Sequence, residues 1–404
     1  MAHRIPTTHV GSLPRTDELL AANDRRARGA IGDEEFAAVL ADGVRRVVAR
    51  QRETGLDIVN EGEYGHITSG PVDYGAWWNY SFSRLGGLTM TDEDRWANPD
   101  IVRSTPGRLR LTSFPDRRDR AAFRAAYEDP DSGILTGRAA VGNPRITGPL
   151  TYTGAGAVGA DIRLLLEALA DAGLAPSDGF IAALSPGSAA RMRNEYYDDD
   201  DVDLLAACAD AMHEEYRAIT DAGLTVQIDA PDIAESWDQI NPEPTVSDYR
   251  DFIALRIDAV NRALEGIPEE QVRLHVCWGS WHGPHTTDIP FADIVDLVLS
   301  VRAHGYSFEA ANARHEHEWR LWQHVGLPED KVIIPGVVSH STNVVEHPEL
   351  VAERIANFVQ VVGPDRVIAS TDCGLGGRVH PLIAWAKLAS LVEGARLAGD
   401  RLDA

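Results

Sequence analysis

The sequence predicts an α/β protein, a (βα)8 barrel of the TIM type, and two observations carry that expectation. Short apolar runs alternate with longer helical patterns along most of the 404 residues, the mark of βα units around a parallel sheet. Eight such runs can be found, the number that closes a barrel. A doubly wound open sheet is the alternative, and its Gly-x-Gly-x-x-Gly fingerprint after the first strand is missing.

In chain order the runs are Thr8–Ser12, Asp57–Glu63, Arg145–Thr151, Thr225–Pro231, Val272–Trp278, Tyr306–Ala311, Val332–Ser339 and Val367–Asp372. Polar or glycine-rich turns follow them, then helical patterns such as Thr245–Leu264, Phe291–His304, Pro348–Val362 and Pro381–Ala398. Residues 64–137 break the rhythm with Trp77, Trp78, Trp96 and several prolines and arginines. They read as an insertion after the second strand of one barrel domain spanning 1–404. A loop of that length is usually functional, so a lid and an oligomer contact both stay open for it.

Composition narrows the partners. The net charge of −24 repels phosphate backbones and anionic membranes, so neither nucleic acid nor membrane is expected. The run Asp198–Asp201 lacks the spacing of a calcium loop and reads as solvated. No apolar stretch is long enough for a bilayer, and the N-terminus has no apolar signal region, so the cytoplasm is expected. Three cysteines argue against a disulfide framework. Cys208, in the helical pattern Leu-Leu-Ala-Ala-Cys-Ala-Asp-Ala-Met, reads as core.

Active-site residues of such barrels sit at the C-terminal strand ends. The fifth run ends Leu-His275-Val-Cys277-Trp278-Gly, and residues two apart in a strand face the same way. The sixth ends in Phe-Glu309 and the eighth in Asp372-Cys373-Gly. Two thiols, an imidazole and a carboxylate suit tetrahedral zinc, and thiolates argue against magnesium or calcium. From these residues alone, zinc and buried structural pairs both stay open. The loop Gly279–Asp288 follows directly and brings His282 and His285, read as proton donors or as solvated turn residues. Trp278 and Trp281 read as pocket walls or core, and His315 and His317 as solvated helix residues.

Leu274–Gly279 and Thr371–Leu375 resemble the metal-binding segments of the cobalamin-independent methionine synthases. So do His9–Arg15, Gly62-Glu63, Thr147–Thr151, Gln227–Pro231 and Pro335–Ser341, in the same order along the chain. The larger family also holds epoxyalkane:coenzyme M transferases. The resemblance implies zinc held by His275, Cys277, Cys373 and Glu309. It implies that Ser12 binds an amino-acid carboxylate and that Glu63 and Asp229 hold its ammonium. His340 resembles a catalytic histidine that protonates a leaving group, and Asp372 would orient a ligand from behind.

The chain also departs from that pattern. Ala230 stands where the synthase motif has Glu, and Tyr152 follows Thr151 where the synthases carry a folate-stacking Trp. The expected function is zinc-dependent transfer of a methyl or other alkyl group to a small-molecule thiol. The expected donor is a methylcorrinoid, a small methylated molecule or an epoxide rather than a folate. Epoxide opening of the coenzyme M type is the alternative within the class. A zinc lyase or hydrolase using metal-bound water, or a metal-free barrel like the uroporphyrinogen decarboxylases, are the alternatives outside it.

Overall fold

A computed structural model describes residues 4–66, 80, 82–91, 101–134, 143–198 and 201–402. Trp77, Trp78 and Trp96 of the expected insertion lie outside the described residues, as do Asp199 and Asp200 of the acidic run.

The main sheet holds six parallel strands in the order β3-β5-β6-β7-β8-β9. They are β3 (Phe180–Leu184), β5 (Thr225–Asp229), β6 (Val272–Val276), β7 (Gly305–Glu309), β8 (Val332–Val338) and β9 (Ser370–Thr371). Every residue of β3, β6 and β7 is buried, as expected of parallel strands covered on both faces. The sheet is curled, and short extended segments pair with its two edges. On the β9 side, Thr8 N–H donates to Ala369 O and Ala369 N–H to Pro6 O, both at 2.9 Å. On the β3 side, Phe180 N–H donates to Val59 O at 3.0 Å, and Ile58 N–H reaches Thr7 O at 3.1 Å.

One expected barrel strand is corrected. Arg145–Thr151 is extended, but it belongs to β2 (Asn143–Tyr152) of a separate three-stranded sheet. There β2 pairs antiparallel with β1 (Leu85–Thr91) and parallel with β4 (Arg193–Asn194). The reason is legible in the burial pattern: Ile146 and Leu150 are buried while Thr147 and Thr151 are exposed. That alternation suits a sheet with one wet face. The place in the main sheet goes to β3, an unbroken Phe-Ile-Ala-Ala-Leu run. Gly87 makes the close antiparallel pairing of β1 and β2 feasible, because with φ of +83° any Cβ there would stand 2.4 Å from Pro149 O.

Helices cover the main sheet, including Asp17–Ala27, Asp33–Thr54, Ala155–Asp171, Val202–Asp221, Val246–Ala263, Pro348–Val362 and Pro381–Leu402. Thr16 and Thr245 cap two of them by accepting from Leu19 N–H and Asp248 N–H. The helix expected over Phe291–His304 shrinks to a 3-10 turn at Phe291–Asp293 and one α turn at Val295–Val298. Ser300 Oγ donates back to Leu297 O at 2.6 Å and Asn261 Nδ2 donates to Ser300 O, so side chains compete with the helical ladder. Among the described residues no helix is long and apolar enough to cross a membrane.

One buried ion pair ties the last helix to the site. Lys387, fully buried on Pro381–Leu402, donates to both oxygens of Glu346 at 2.9 and 3.1 Å. Glu346 in turn accepts from Ser339 N–H at 2.8 Å and so holds the loop that begins with His340. Lys387→Met would leave a buried carboxylate without its cation, and a loss of about 3–5 kcal/mol is expected. Chemical denaturation of the variant beside the double variant Lys387→Met/Glu346→Leu checks this, since removing both charges should recover most of the loss.

Candidate metal centre

Strand register decides which side chains meet. Asp229 on β5 lies opposite His275 on β6, and His275 opposite Ser307 on β7. Cys277 follows β6 by one residue, and Cys373 follows β9 by two. The imidazole of His275 and the sulfurs of Cys277 and Cys373 thus gather with their ligand atoms within 4.8 Å of one another. His275 Nδ1 bonds Ser307 Oγ at 3.0 Å, which fixes the ring and turns Nε2 toward the cysteines. That Nε2 is buried and has no hydrogen-bond partner.

The two sulfurs are electrostatically unlike. The hydrogen bond from Cys277 and the nearby His275 push the Cys373 thiol well below its ordinary range, against the opposing effect of burial. Cys277, which makes that hydrogen bond and is buried, moves up. Such a set is a soft, partly ionised donor cluster. Zinc with bonds of roughly 2.0–2.3 Å needs its ligand atoms at about this spacing.

Glu309 belongs to a second group of side chains. Its ligand atom groups with those of His340 and Asp372, within 4.8 Å of one another, and not with the His275 trio. Its oxygens accept from Trp278 N–H at 2.9 Å and Asn312 Nδ2 at 2.8 Å. Asp372 Oδ1 takes the N–H groups of Ala310 and Ala311, both at 2.8 Å. The fully buried His340 has no hydrogen bond at either ring nitrogen, and burial pushes its pKa down to about 3. Gly336 makes room for this cluster, since a Cβ there would stand 2.4 Å from the Asp372 Cα.

A cavity of about 160 Å³ opens over the His275 trio. It brings together six of the expected site residues, Ser12, Glu63, Asp229, His275, Cys277 and Cys373. Glu63 sits at φ of +56°, an uncommon conformation for a side-chain-bearing residue. Its Oε1 occupies the space a Cβ on Gly11 would take, 2.5 Å away. Burial raises the Glu63 carboxyl, but His66 and the Arg15 charge outweigh it and leave it below the usual range. Asp229 is pushed up to about 7, mainly by burial, with His275 opposing.

Trp281 also lines the cavity, and the other expected residues fall outside its wall. Trp278 is core: its ring stacks on His315 at 3.8 Å and its Nε1 donates to Ile289 O at 2.8 Å. His282 is half-buried, with Nε2 3.2 Å from His340 O. His285 is committed within its own loop, to Asp288 at 3.1 Å and to Trp281 O at 3.1 Å. His315, expected to be solvated, is buried between Asp288 and Glu318 at 3.0 and 2.8 Å, while His317 is exposed as expected. Tyr152 gives its hydroxyl to Glu215 at 2.7 Å and does not line the cavity.

The structure adds Arg15, Phe114, Arg191, Glu235 and Arg378 to the wall. None lies in a motif at a predicted strand end, except Arg15 beside Ser12. Phe114 and Arg117 come from the insertion, and Arg117 pairs with Glu235. Asp119, also there, accepts from Thr286 N–H and Oγ1 at 2.9 and 2.8 Å. Tyr127 OH bonds both Asp119 and Trp281 Nε1 at 2.8 Å. The insertion thereby clamps the loop that follows Cys277.

Two stretches of the chain, residues 5–77 and 178–397, match the model of a family described as cobalamin-independent synthase, catalytic domain. The chain belongs to that family. The stretch between residues 77 and 178, which includes Thr147–Thr151, lies outside the match. Family members similar to it include the methionine synthase of Thermococcus kodakarensis, 23% identical over 97% of this chain and 93% of that one. The methionine synthase of Saccharolobus solfataricus is also 23% identical, over 98% and 96%. A 5-methyltetrahydropteroyltriglutamate–homocysteine methyltransferase of Thermotoga petrophila matches at 22% over 92% of this chain but 42% of its own length. The fold is that of the B12-independent methionine synthase of Shewanella sp. W3-18-1, with a TM-score of 0.69 at 19% identity over 99% of both chains.

The His285–Asp288–His315 network yields a pH signature. Burial disfavours both imidazolium ions, but the Asp288 hydrogen bond outweighs it and holds each pKa up near about 9, against 6.5 in an unfolded chain. A raised pKa stabilises fully below pH 6.5, and the contribution is lost as pH rises through 9. Asp288→Asn should therefore cost about 1–3 kcal/mol near pH 6. The gap to the native protein should narrow by pH 9.5, as read by denaturation midpoints across that range.

Proposed function

We propose that this protein transfers a methyl or other alkyl group to a small-molecule thiol, with zinc bound by His275, Cys277 and Cys373. The observation that carries this reading is the trio of one imidazole and two sulfurs within 4.8 Å at the base of a cavity, His275 and Cys277 buried and Cys373 half-buried. The unpartnered His275 Nε2 and the soft donor set fit zinc, and the family includes the methionine synthases named above. Zinc held there would lower the pKa of a substrate thiol, so that sulfur attacks as a thiolate at neutral pH.

The chain's own residues do the rest. Glu63 and Asp229 line the cavity beside the trio and face an ammonium with two carboxylates, which favours an amino-acid thiol such as homocysteine. Ser12, bonded to Arg15 at 2.8 Å, offers its hydroxyl and backbone to the carboxylate end. His340, neutral and without ring hydrogen bonds, has one N–H to give and one nitrogen to receive a proton. Asp372 and Glu309 position His340 and the loops carrying the trio. His282 and His285 serve the loop's geometry in this reading.

We further infer that the extended segments near Thr8 and Val59 complete an eight-stranded (βα)8 barrel between β9 and β3. The insertion then runs from residue 64 to the start of β3 and acts as a lid. Its clamp on the loop after Cys277 and its Phe114 in the wall support that role. Three free cysteines suit a reducing compartment, and we place the reaction in the cytoplasm.

The test needs no knowledge of the donor. Purified protein should carry about one zinc per chain, lost on Cys373→Ser. After cobalt replacement, homocysteine should perturb the sulfur-to-metal absorption band. Glu63→Gln and Asp229→Asn should weaken that titration about tenfold or more while leaving 2-mercaptoethanol unaffected. Absence of any thiol-induced change would reject the proposal, and equal weakening for both thiols would reject the ammonium role.

A further inference from the structure

The cavity over the trio adjoins a larger, arginine-lined groove of about 960 Å³, and the two share Phe114, Arg191 and Gln239. The groove draws on Arg108 and Arg110 of the insertion, Arg193 of β4 and Arg256 of the helix Val246–Ala263. The smaller cavity has a different balance. Among the described residues its wall holds three carboxylates, Glu63, Asp229 and Glu235, and three arginines, Arg15, Arg191 and Arg378. Arg191 pairs with Glu235 at 2.9 Å. Arg378 donates to Ser280 Oγ at 2.7 and 3.0 Å. Arg15 instead reaches Ser12, with 2.8 Å between Nη1 and Oγ.

Arg15 is only 8% exposed, and its guanidinium clasps two strand-end segments together. Nη1 also donates to Leu13 O at 3.3 Å, and Nη2 donates to Glu63 O at 2.5 Å and His66 O at 3.4 Å. Ser12 is set in turn against the segment that follows Cys373. Gly376 N–H donates to Ser12 O at 2.8 Å, and a Cβ on Gly374 would stand 2.8 Å from that of Ser12. One fixed cation thus sits between the Ser12 and Glu63 segments, beside the trio. Because Ser12 Oγ accepts from Arg15, the hydroxyl keeps its own proton to give. The charge matters as much as the clasp. Glu63 and Asp229 attract an ammonium but repel a carboxylate, so a thiol carrying both groups needs a cation at its other end. A guanidinium supplies that charge at every physiological pH.

We propose that Arg15 is a specificity-determining residue, selecting an acceptor thiol that bears a carboxylate as well as an ammonium. The inference rests on the alkyl-transfer reading of the trio. Arg15 acts in two ways. Its charge offsets Glu63 and Asp229 where the acceptor's carboxylate arrives, and its bond to Ser12 Oγ leaves the Ser12 proton to donate to that carboxylate. Without the guanidinium the same cavity keeps its metal ligands and its ammonium site but repels the carboxylate. It would then favour a plain amino thiol.

Titration of the cobalt-loaded full chain with a set of thiols tests the assignment. Homocysteine carries both charges, 3-mercaptopropylamine only the ammonium, 4-mercaptobutyrate only the carboxylate and 2-mercaptoethanol neither. The native protein should bind homocysteine about tenfold more tightly than 3-mercaptopropylamine. Arg15→Met should remove that preference. It should weaken homocysteine and 4-mercaptobutyrate about tenfold while leaving 3-mercaptopropylamine and 2-mercaptoethanol within about twofold. Arg15→Lys, which keeps the charge but loses the fork, should fall between. Cobalt content and the 2-mercaptoethanol titration show that the variants fold. Equal weakening of homocysteine and 3-mercaptopropylamine in Arg15→Met would reduce Arg15 to a structural clasp and overturn the proposal. So would a native protein that binds those two thiols equally well, a result that needs no variant. A metal that ignores the whole set removes the alkyl-transfer reading and this inference with it, whereas thiols that bind without regard to their carboxylate overturn the inference alone.

Discussion

Two thiols and an imidazole gathered within 4.8 Å of one another are the constraint on which the rest of the structure turns. Buried polar atoms without partners cost free energy unless something binds them. The surroundings hold the trio in this costly arrangement instead of relaxing it. Ser307 fixes His275 from the neighbouring strand, and Cys373 draws a hydrogen bond from Cys277. Glu309 ties the backbone beside Cys277, while Asp372 ties the turn beyond Glu309. A metal of soft preference would offset the cost of all three donors at once.

A second layer of interactions guards that geometry. Glu346 and Lys387 pin the loop entering His340, and Gly336 keeps β8 free of a side chain where Asp372 must pass. On the other flank, Asp288 binds His285 and His315 together, and His315 stacks on Trp278 next to Cys277. His285, a candidate proton donor by its place in a strand-end loop, has both ring nitrogens occupied within that loop, which is the physical difference between it and His340.

The insertion turns an open strand-end surface into two adjoining cavities. Arg117, Asp119 and Tyr127 reach across to Glu235, Thr286 and Trp281, so the loops around the trio are braced by residues far away in sequence. Phe114 then stands between the cavity over the trio and the arginine-lined groove.

The sequence by itself determined the parallel α/β character, the family and the donor trio. Those signals are local: an apolar run, a His-x-Cys spacing on one strand face, a Cys just past another strand end. The structure corrected the third strand, because Arg145–Thr151 alternates wet and dry while Phe180–Leu184 is buried throughout. What only the tertiary structure decided is which polar groups meet. Side-chain placement grouped the ligand atom of Glu309 with those of His340 and Asp372, and side-chain partners removed His285 and Trp278 from the cavity. The arginine groove combines an insertion, a two-residue strand and a distant helix, and a lining assembled from such separate segments leaves no spacing in the sequence to read.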